Sequence, residues 1–311
     1  MRVLLALGGN AMTAPDGSAT PAAQIEAVGV AVGAAARVVA AGHELVITHG
    51  NGPQVGNLLV KNELAAHVVP PVPLDWCGAQ TQGTLGFTIL DALDGALTEL
   101  DAVRPVAALV TRTLVDRDDP GFTRPTKPIG RYLPREQAQA LVDHGQVWED
   151  RGEHGWRRVV ASPEPLEVLD VGPVRVLLEA GHVVVAAGGG GIPVVRDPDG
   201  RLRGVEAVID KDLTAALLAR TLGADVLVIA THVDHAALDW GTARQHDLGR
   251  VGVAEMRRHA AEGQFASGSM GPKVDAATRF VAGGGPRSVI TSLAHISEAV
   301  EGGFGTVIEP R

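Results

Sequence analysis

Val183-Val184-Val185-Ala186-Ala187-Gly188-Gly189-Gly190-Gly191-Ile192-Pro193 is the stretch on which the fold turns. A short β-branched run reads as a buried strand, and here it empties directly into four glycines. Backbone without Cβ atoms can turn sharply and let another group approach its N–H donors. Successive N–H groups form a concave nest for an anion such as phosphate. Val3-Leu4-Leu5-Ala6-Leu7 running into Gly8-Gly9-Asn10 is a near twin at the N-terminus. Two strands that each end in glycines suggest two loops meeting over one site. The same pattern is compatible with two tight turns and no ligand.

The 311 residues suffice for one large α/β unit with a substantial core. Apolar residues make up 45% and aromatics only 3%, so Val, Leu, Ile and Ala must build that core. No apolar run approaches the roughly 18 residues of a membrane span, and the chain enters a strand with no charged-then-apolar leader. Cys77 is the single cysteine, which fits a reducing cytoplasm. A formal charge of −9 with no basic block argues against nucleic acid as a partner.

Only four of the 27 basic residues are lysines: Lys61, Lys127, Lys211 and Lys273. The arginine excess fits a coding bias as well as a functional one. Lys127 precedes Pro-Ile-Gly, Lys211 lies between two aspartates, and Lys273 follows Gly-Ser-Met-Gly-Pro. A compact ammonium suits a crowded phosphate site in a way a planar guanidinium does not.

Strands and helices alternate along the chain. A helix is expected over 22–41, a strand over 44–48 opening into His49-Gly50-Asn51-Gly52-Pro53, a long helix over 75–100, and a strand over 106–110. Residues 116–165 are charged, hold Trp148 and Trp156, and contain a hairpin over 146–160. They read as an excursion from the main body, either a lid or a cap on a sheet edge. Arg196-Asp197-Pro198-Asp199-Gly200 marks a turn between Val194-Val195 and a run over 205–209. Asp212 is a candidate cap for a helix over 213–222. A strand over 226–230, a helix over 254–262, a small-residue loop over 266–273, a helix over 274–281 and a strand over 288–291 complete the pattern. The fold class is α/β, a mainly parallel open sheet covered by helices.

Several chemistries are excluded by missing motifs. No Gly-Lys dipeptide exists, so there is no P-loop, and from Gly188 the Gly-x-Gly-x-x-Gly pattern fails at Pro193. His-Glu-x-x-His and Gly-x-Ser-x-Gly are absent. Glycine loops, three lysines and a pair of aspartates remain. That set suits phosphoryl transfer, where catalysis is mostly positioning and neutralisation of negative charge.

Leu7-Gly8-Gly9-Asn10-Ala11, residues 47–56, Lys127-Pro128-Ile129-Gly130, residues 188–194, residues 208–213 and residues 268–274 together resemble the carbamate kinases, in order and over nearly the whole chain. The resemblance implies the amino-acid kinase fold, a three-layer αβα sandwich with a small protruding subdomain over 116–165. It implies reversible phosphoryl transfer between ATP and carbamate, with Mg²⁺ carried mainly by the nucleotide, in a cytoplasmic homodimer. Residues 1–205 would bind carbamate or carbamoyl phosphate, and 206–311 the nucleotide. Carried over by position, Gly8, Gly9 and Asn10 would lie beside the transferred group, with Gly50, Asn51 and Gly52 near carbamate and Gly189 and Gly190 in the central loop. Lys211 and Lys273 would balance charge on the transferring group. Asp210 and Asp212 would orient those lysines or the metal, and Lys127 would reach in from the excursion. Thr231, Met270, Gly271, Pro272 and Lys273 would meet the nucleotide.

Two local departures stand out. Thr231-His232-Val233 replaces the family's frequent Thr-Asp-Val, and Ala79-Gln80-Thr81-Gln82-Gly83 replaces Ala-Met-Ser-Gln-Gly. The stretch 11–24 is also short and lacks basic residues. They leave open a kinase of the same fold acting on another small carboxylate, or a non-catalytic metabolite binder. None of the eleven histidines is expected to act as a general base, His49 being read as an orienting or packing residue.

Overall fold

Alternation within the first strand already sets the layers. In Val3-Leu4-Leu5-Ala6-Leu7 every side chain is fully buried, so both faces of this strand are covered. Successive side chains of a strand point to opposite faces. Val3, Leu5 and Leu7 accordingly join one core cluster, and Leu4 and Ala6 another.

The computed structural model describes residues 1–9, 20–143, 145–266 and 268–311. From the N-terminus come β1 (Arg2–Leu7), α1 (Pro21–Ala40), β2 (Glu44–His49), α2 (Gly52–Ala65), α3 (Leu74–Glu99) and β3 (Val106–Ala108). A branch follows: β4 (Arg112–Val115), α4 (Pro120–Thr123), β5 (Lys127–Leu133), α5 (Arg135–Val142), β6 (Val147–Asp150), β7 (Trp156–Val160) and β8 (Pro165–Val168). The chain returns through α6 (Val171–Glu179), β9 (Val183–Val185), β10 (Ile192–Arg196) and β11 (Leu202–Gly204). Next are α7 (Lys211–Leu222), β12 (Val226–Thr231), the short pair β13 (Ala237–Leu238) and β14 (His246–Asp247), and β15 (Arg250–Gly252). Then α8 (Val253–Ala261), α9 (Met270–Ala282), β16 (Arg287–Ser292), α10 (Ile296–Val300) and β17 (Thr306–Glu309) finish the fold.

The main sheet has the order β15-β17-β16-β12-β1-β2-β9-β3. Its central pairs are parallel, and β16 with β17 is the antiparallel exception. One face carries α1, α3 and α10, and the other α6, α7, α8 and α9, giving three layers. From β1 the chain runs to β2 on one side and only later to β12 on the other, so strand order reverses beside β1. Ligands of open α/β sheets bind at the carboxyl ends of strands at such a point. A four-stranded sheet, β11-β10-β4-β8, and the excursion's three-stranded sheet, β5-β7-β6, overhang that end.

Thr20 caps α1, its Oγ1 accepting from the Ala23 amide at 3.3 Å, and Pro21 opens the first turn, where a missing N–H costs nothing. By length and mean hydropathy (1.4) α1 could cross a membrane, although no such run was expected from the sequence. Its Val28, Ala31, Val32 and Ala35 face is fully buried in the core, the composition of an interior helix.

Three local expectations are corrected. The turn over 196–200 leads into β11 at 202–204, and 205–209 is not a strand. Asp210, not Asp212, caps α7: its side chain accepts from the Asp212 and Leu213 amides. The loop expected over 266–273 ends early, because α9 begins at Met270 and carries Lys273 in its first turn.

Candidate active site

The loops after β1 and β2 meet because Gly50 has no side chain. A Cβ there would sit 2.7 Å from the backbone N and Cα of Gly9. The parallel ladder continues into both loops, with Gly8 N–H donating to Ala230 O (3.1 Å) and Gly50 N–H to Leu7 O (3.0 Å). The tetraglycine loop closes from the other side. Gly189 has φ +67°, and a Cβ on it would overlap the Asn51 amide at 2.1 Å. Asn51 is itself held by donating from Nδ2 to Thr81 Oγ1 at 2.8 Å.

These loops, with the N-terminal ends of α2, α7 and α9, enclose a cavity of about 180 Å³. Lys127, Lys211, Lys273 and Gly189 line it. The first N–H groups of a helix lack partners within it and carry the positive end of its dipole. Three such ends and three ammonium groups therefore face two carboxylates, an arrangement made for an anion.

The carboxylates fix the lysines. Asp212 is buried and accepts from Lys211 through Oδ1 and from Lys273 through Oδ2, the latter at 3.1 Å. Burial pushes its carboxyl up, but the two neighbouring ammonium groups outweigh that and hold it below the usual carboxylate range. Burial, reinforced by Lys273, pulls Lys211 below the usual lysine value despite the attraction of Asp212 and Asp210. Asp210 Oδ1 caps α7 while its Oδ2 accepts from Lys127 Nζ at 2.8 Å, so one side chain starts a helix and tethers the excursion's lysine. All four carboxylate oxygens thus already accept from amides or ammonium groups. Among the described residues no group of three His, Cys, Asp or Glu side chains converges to hold a metal ion.

A second cavity, about 250 Å³, opens on the other side of the β1 loop and is lined by Gly8, Thr231, His232 and Leu293. Gly9, Gly268, Ser269 and Lys273 border both cavities. The two cavities are neighbours that share these residues as a wall, Lys273 among them.

The structure separates the sequence candidates. Lys127, Lys211, Lys273, Asp210, Asp212, Gly9, Gly50, Asn51, Gly52, Gly189 and Pro272 line the smaller cavity; Gly8 and Thr231 line the larger. Gly190, Met270 and Gly271 line neither. The Gly190 carbonyl accepts from the Thr113 and Thr214 hydroxyls (2.8 and 3.0 Å), Met270 packs on the core, and Gly271 N–H closes a turn to Ala266 O. Asn10 lies outside the described residues. His49 is buried beneath the loops with Nδ1 3.1 Å from Gly50 O, and burial, aided by Lys211, lowers its pKa to about 4 against that hydrogen bond.

Sequence reasoning missed Ser269, which immediately precedes α9 and lines both cavities; with the helix expected only from 274, it lay inside an expected loop. It also missed Gln82. This buried amide donates to Thr111 O and Gly188 O and accepts from Thr111 N–H, tying the tetraglycine loop to the segment between β3 and β4.

Known proteins resemble this chain over nearly its whole length. Residues 1–292 match the Amino acid kinase family. The carbamate kinase of Thermococcus kodakarensis is 45% identical over 99% of this chain and 98% of its own, and that of Pyrococcus horikoshii 42% identical over 99% of each. The carbamate kinase of Giardia lamblia, solved bound to AMP-PNP, superposes with a TM-score of 0.93 at 39% identity, covering 99% of this chain and 98% of its own. The chain belongs to the amino acid kinase family, among its carbamate kinases.

Proposed function

We propose that this protein transfers a phosphoryl group reversibly between ATP and carbamate, with carbamoyl phosphate in the smaller cavity and the nucleotide in the larger. The observation that carries this reading is the pair of adjoining cavities that share Gly9, Gly268, Ser269 and Lys273, the smaller lined by three lysines held by two aspartates. In the direction of ATP formation, a terminal oxygen of ADP attacks phosphorus. The bond to the carbamate oxygen breaks, and its electron pair leaves with carbamate. No proton need move, since the attacking phosphate oxygen is ionised above about pH 7. The site is asked for alignment and charge neutralisation alone. Lys211 and Lys273, spaced by the two oxygens of Asp212, would neutralise the transferring group, and Lys127 would hold the carbamoyl end. Magnesium would arrive as part of the nucleotide substrate, since both aspartates are engaged.

The reading divides the chain. Residues 1–205, with the excursion over 116–165, would take the small acid, and 206–311 the nucleotide. It also includes a homodimer, for which Ile25 and Val30 on α1 and Trp76 and Phe87 on α3 are exposed apolar residues; light scattering giving a single-chain mass would reject that part.

ATP formation from ADP and carbamoyl phosphate, coupled to hexokinase, tests the central claim, with acetyl phosphate as the competing donor. Turnover with carbamoyl phosphate far above that with acetyl phosphate is expected. A preference for acetyl phosphate would make the chain a carboxylate kinase, and no ATP from either would reject phosphoryl transfer.

A further inference from the structure

A third cavity, about 410 Å³, lies between the excursion's sheet and α2 and α3. Leu59, Val72, Leu74 and Leu141 give it apolar walls, and Arg158 and Glu206 stand in its lining. Its size is that of a small-molecule site, mostly apolar with a few convergent polar groups.

Arg158 is the unusual member. It projects from β7 among residues of the apolar cluster, and burial pulls its pKa below the usual arginine value while Glu206 and Glu63 act in the opposite sense. Among the described residues its guanidinium nevertheless makes no hydrogen bond or ion pair, and neither does the Glu206 carboxylate. Glu63 is already engaged by Arg131 at 3.4 Å. A partly desolvated guanidinium with no partner is costly, and an occupant supplying a carboxylate removes that cost. The Glu206 carboxylate in the same lining offers a counter-charge to a cationic group of that occupant.

We propose that this cavity binds a zwitterionic α-amino acid with an aliphatic side chain, its carboxylate on Arg158, its ammonium on Glu206 and its side chain against Leu59, Val72 and Leu74. The site is placed to act on the excursion. Lys127 pairs with Val160 and Ile129 with Arg158 across β5 and β7, so all four share one face of the small sheet. Lys127 and Ile129 line the phosphoryl-transfer cavity, Arg158 lines this one, and Ile129 and Val160 pack on Val55, Leu59 and Leu74 between them. An occupant touching Leu141 and Arg158 on the excursion and Leu59 and Leu74 on the body would fix the seat of Lys127. This coupling rests on the proposed role of Lys127; the binding does not.

Isothermal titration of the full chain with L-leucine tests the site, with 4-methylpentanoate lacking the ammonium and 3-methylbutylamine lacking the carboxylate. Saturable heat is expected with leucine. Loss of one charged partner, in either analogue or in Arg158→Met or Glu206→Gln, should weaken binding about tenfold or more. No saturable heat in wild type, or unchanged affinity in both variants, overturns the site. Glu206→Gln, at an exposed position, carries the test if Arg158→Met does not fold. Leucine should also lower the carbamoyl phosphate concentration needed for half-saturation in wild type but not in Arg158→Met; unchanged kinetics overturn the coupling. Since heat is read without turnover, leucine binding by a chain that makes no ATP would leave the site standing and reject only the kinase reading.

Discussion

Replacing His49 by glutamine separates a buried packing residue from a catalytic base. The ring titrates near 4 in the fold against 6.5 for an ordinary histidine. At about 1.4 kcal/mol per pH unit that gap is worth ~3 kcal/mol of stability. The sign follows from proton counting. Between about pH 4 and 6.5 the unfolded chain binds a proton that the folded chain refuses, so stability rises with pH across that window and is flat in this term above it. Urea unfolding from about pH 4 to 7.5 should show wild type losing ~3 kcal/mol more than His49→Gln on acidification. Turnover of wild type should stay level from about pH 7 to 9, since the ring is neutral throughout. A stability difference independent of pH would refute the burial argument, and a steep ionisation of turnover within pH 7–9 that vanishes in the variant would restore His49 as a base.

Lys211→Ala and Lys273→Ala should each lower turnover by ~10²–10³, about 3 kcal/mol of transition-state stabilisation, with a smaller effect on ADP affinity; near wild-type turnover in either would remove its assigned role. Lys127→Ala should mainly raise the carbamoyl phosphate concentration for half-saturation while ADP binding, followed by calorimetry, holds. Protease should nick residues 116–165 more slowly once both substrates are bound, and equal nicking with and without them would leave the excursion as an edge cap. Gly189→Ala must take up φ +67° and displace the Asn51 amide, so turnover should collapse while ADP still binds; full activity would place Asn51 outside the chemistry.

Local patterns were legible in the sequence because their causes are local. Strands that end in glycines, an aspartate–lysine–aspartate run before a helix, and β-branched runs buried on both faces announce a parallel α/β sheet with anion-ready loops. The edges of elements were less legible. The start of α9 at Met270 and the cap at Asp210 depend on which of several adjacent polar residues meets the free amides, and short windows do not decide that. The resemblance implied that Asp210 and Asp212 orient the lysines, but which carboxylate meets which ammonium was closed to sequence reading. Lys127 finds Asp210 across 83 residues and Lys273 finds Asp212 across 61. Gln82 holds Gly188 across 106, and an apolar-looking helix carries the residue that sets the loop. Only the folded chain brings those partners within hydrogen-bond reach, because burial makes an unpaired charge or carbonyl too costly to leave alone. The sequence by itself therefore determined the residue types and the layers. Tertiary structure decided which oxygen meets which ammonium, how two cavities share one lysine, and where the Arg158 guanidinium was left, among the described residues, without a hydrogen-bond partner.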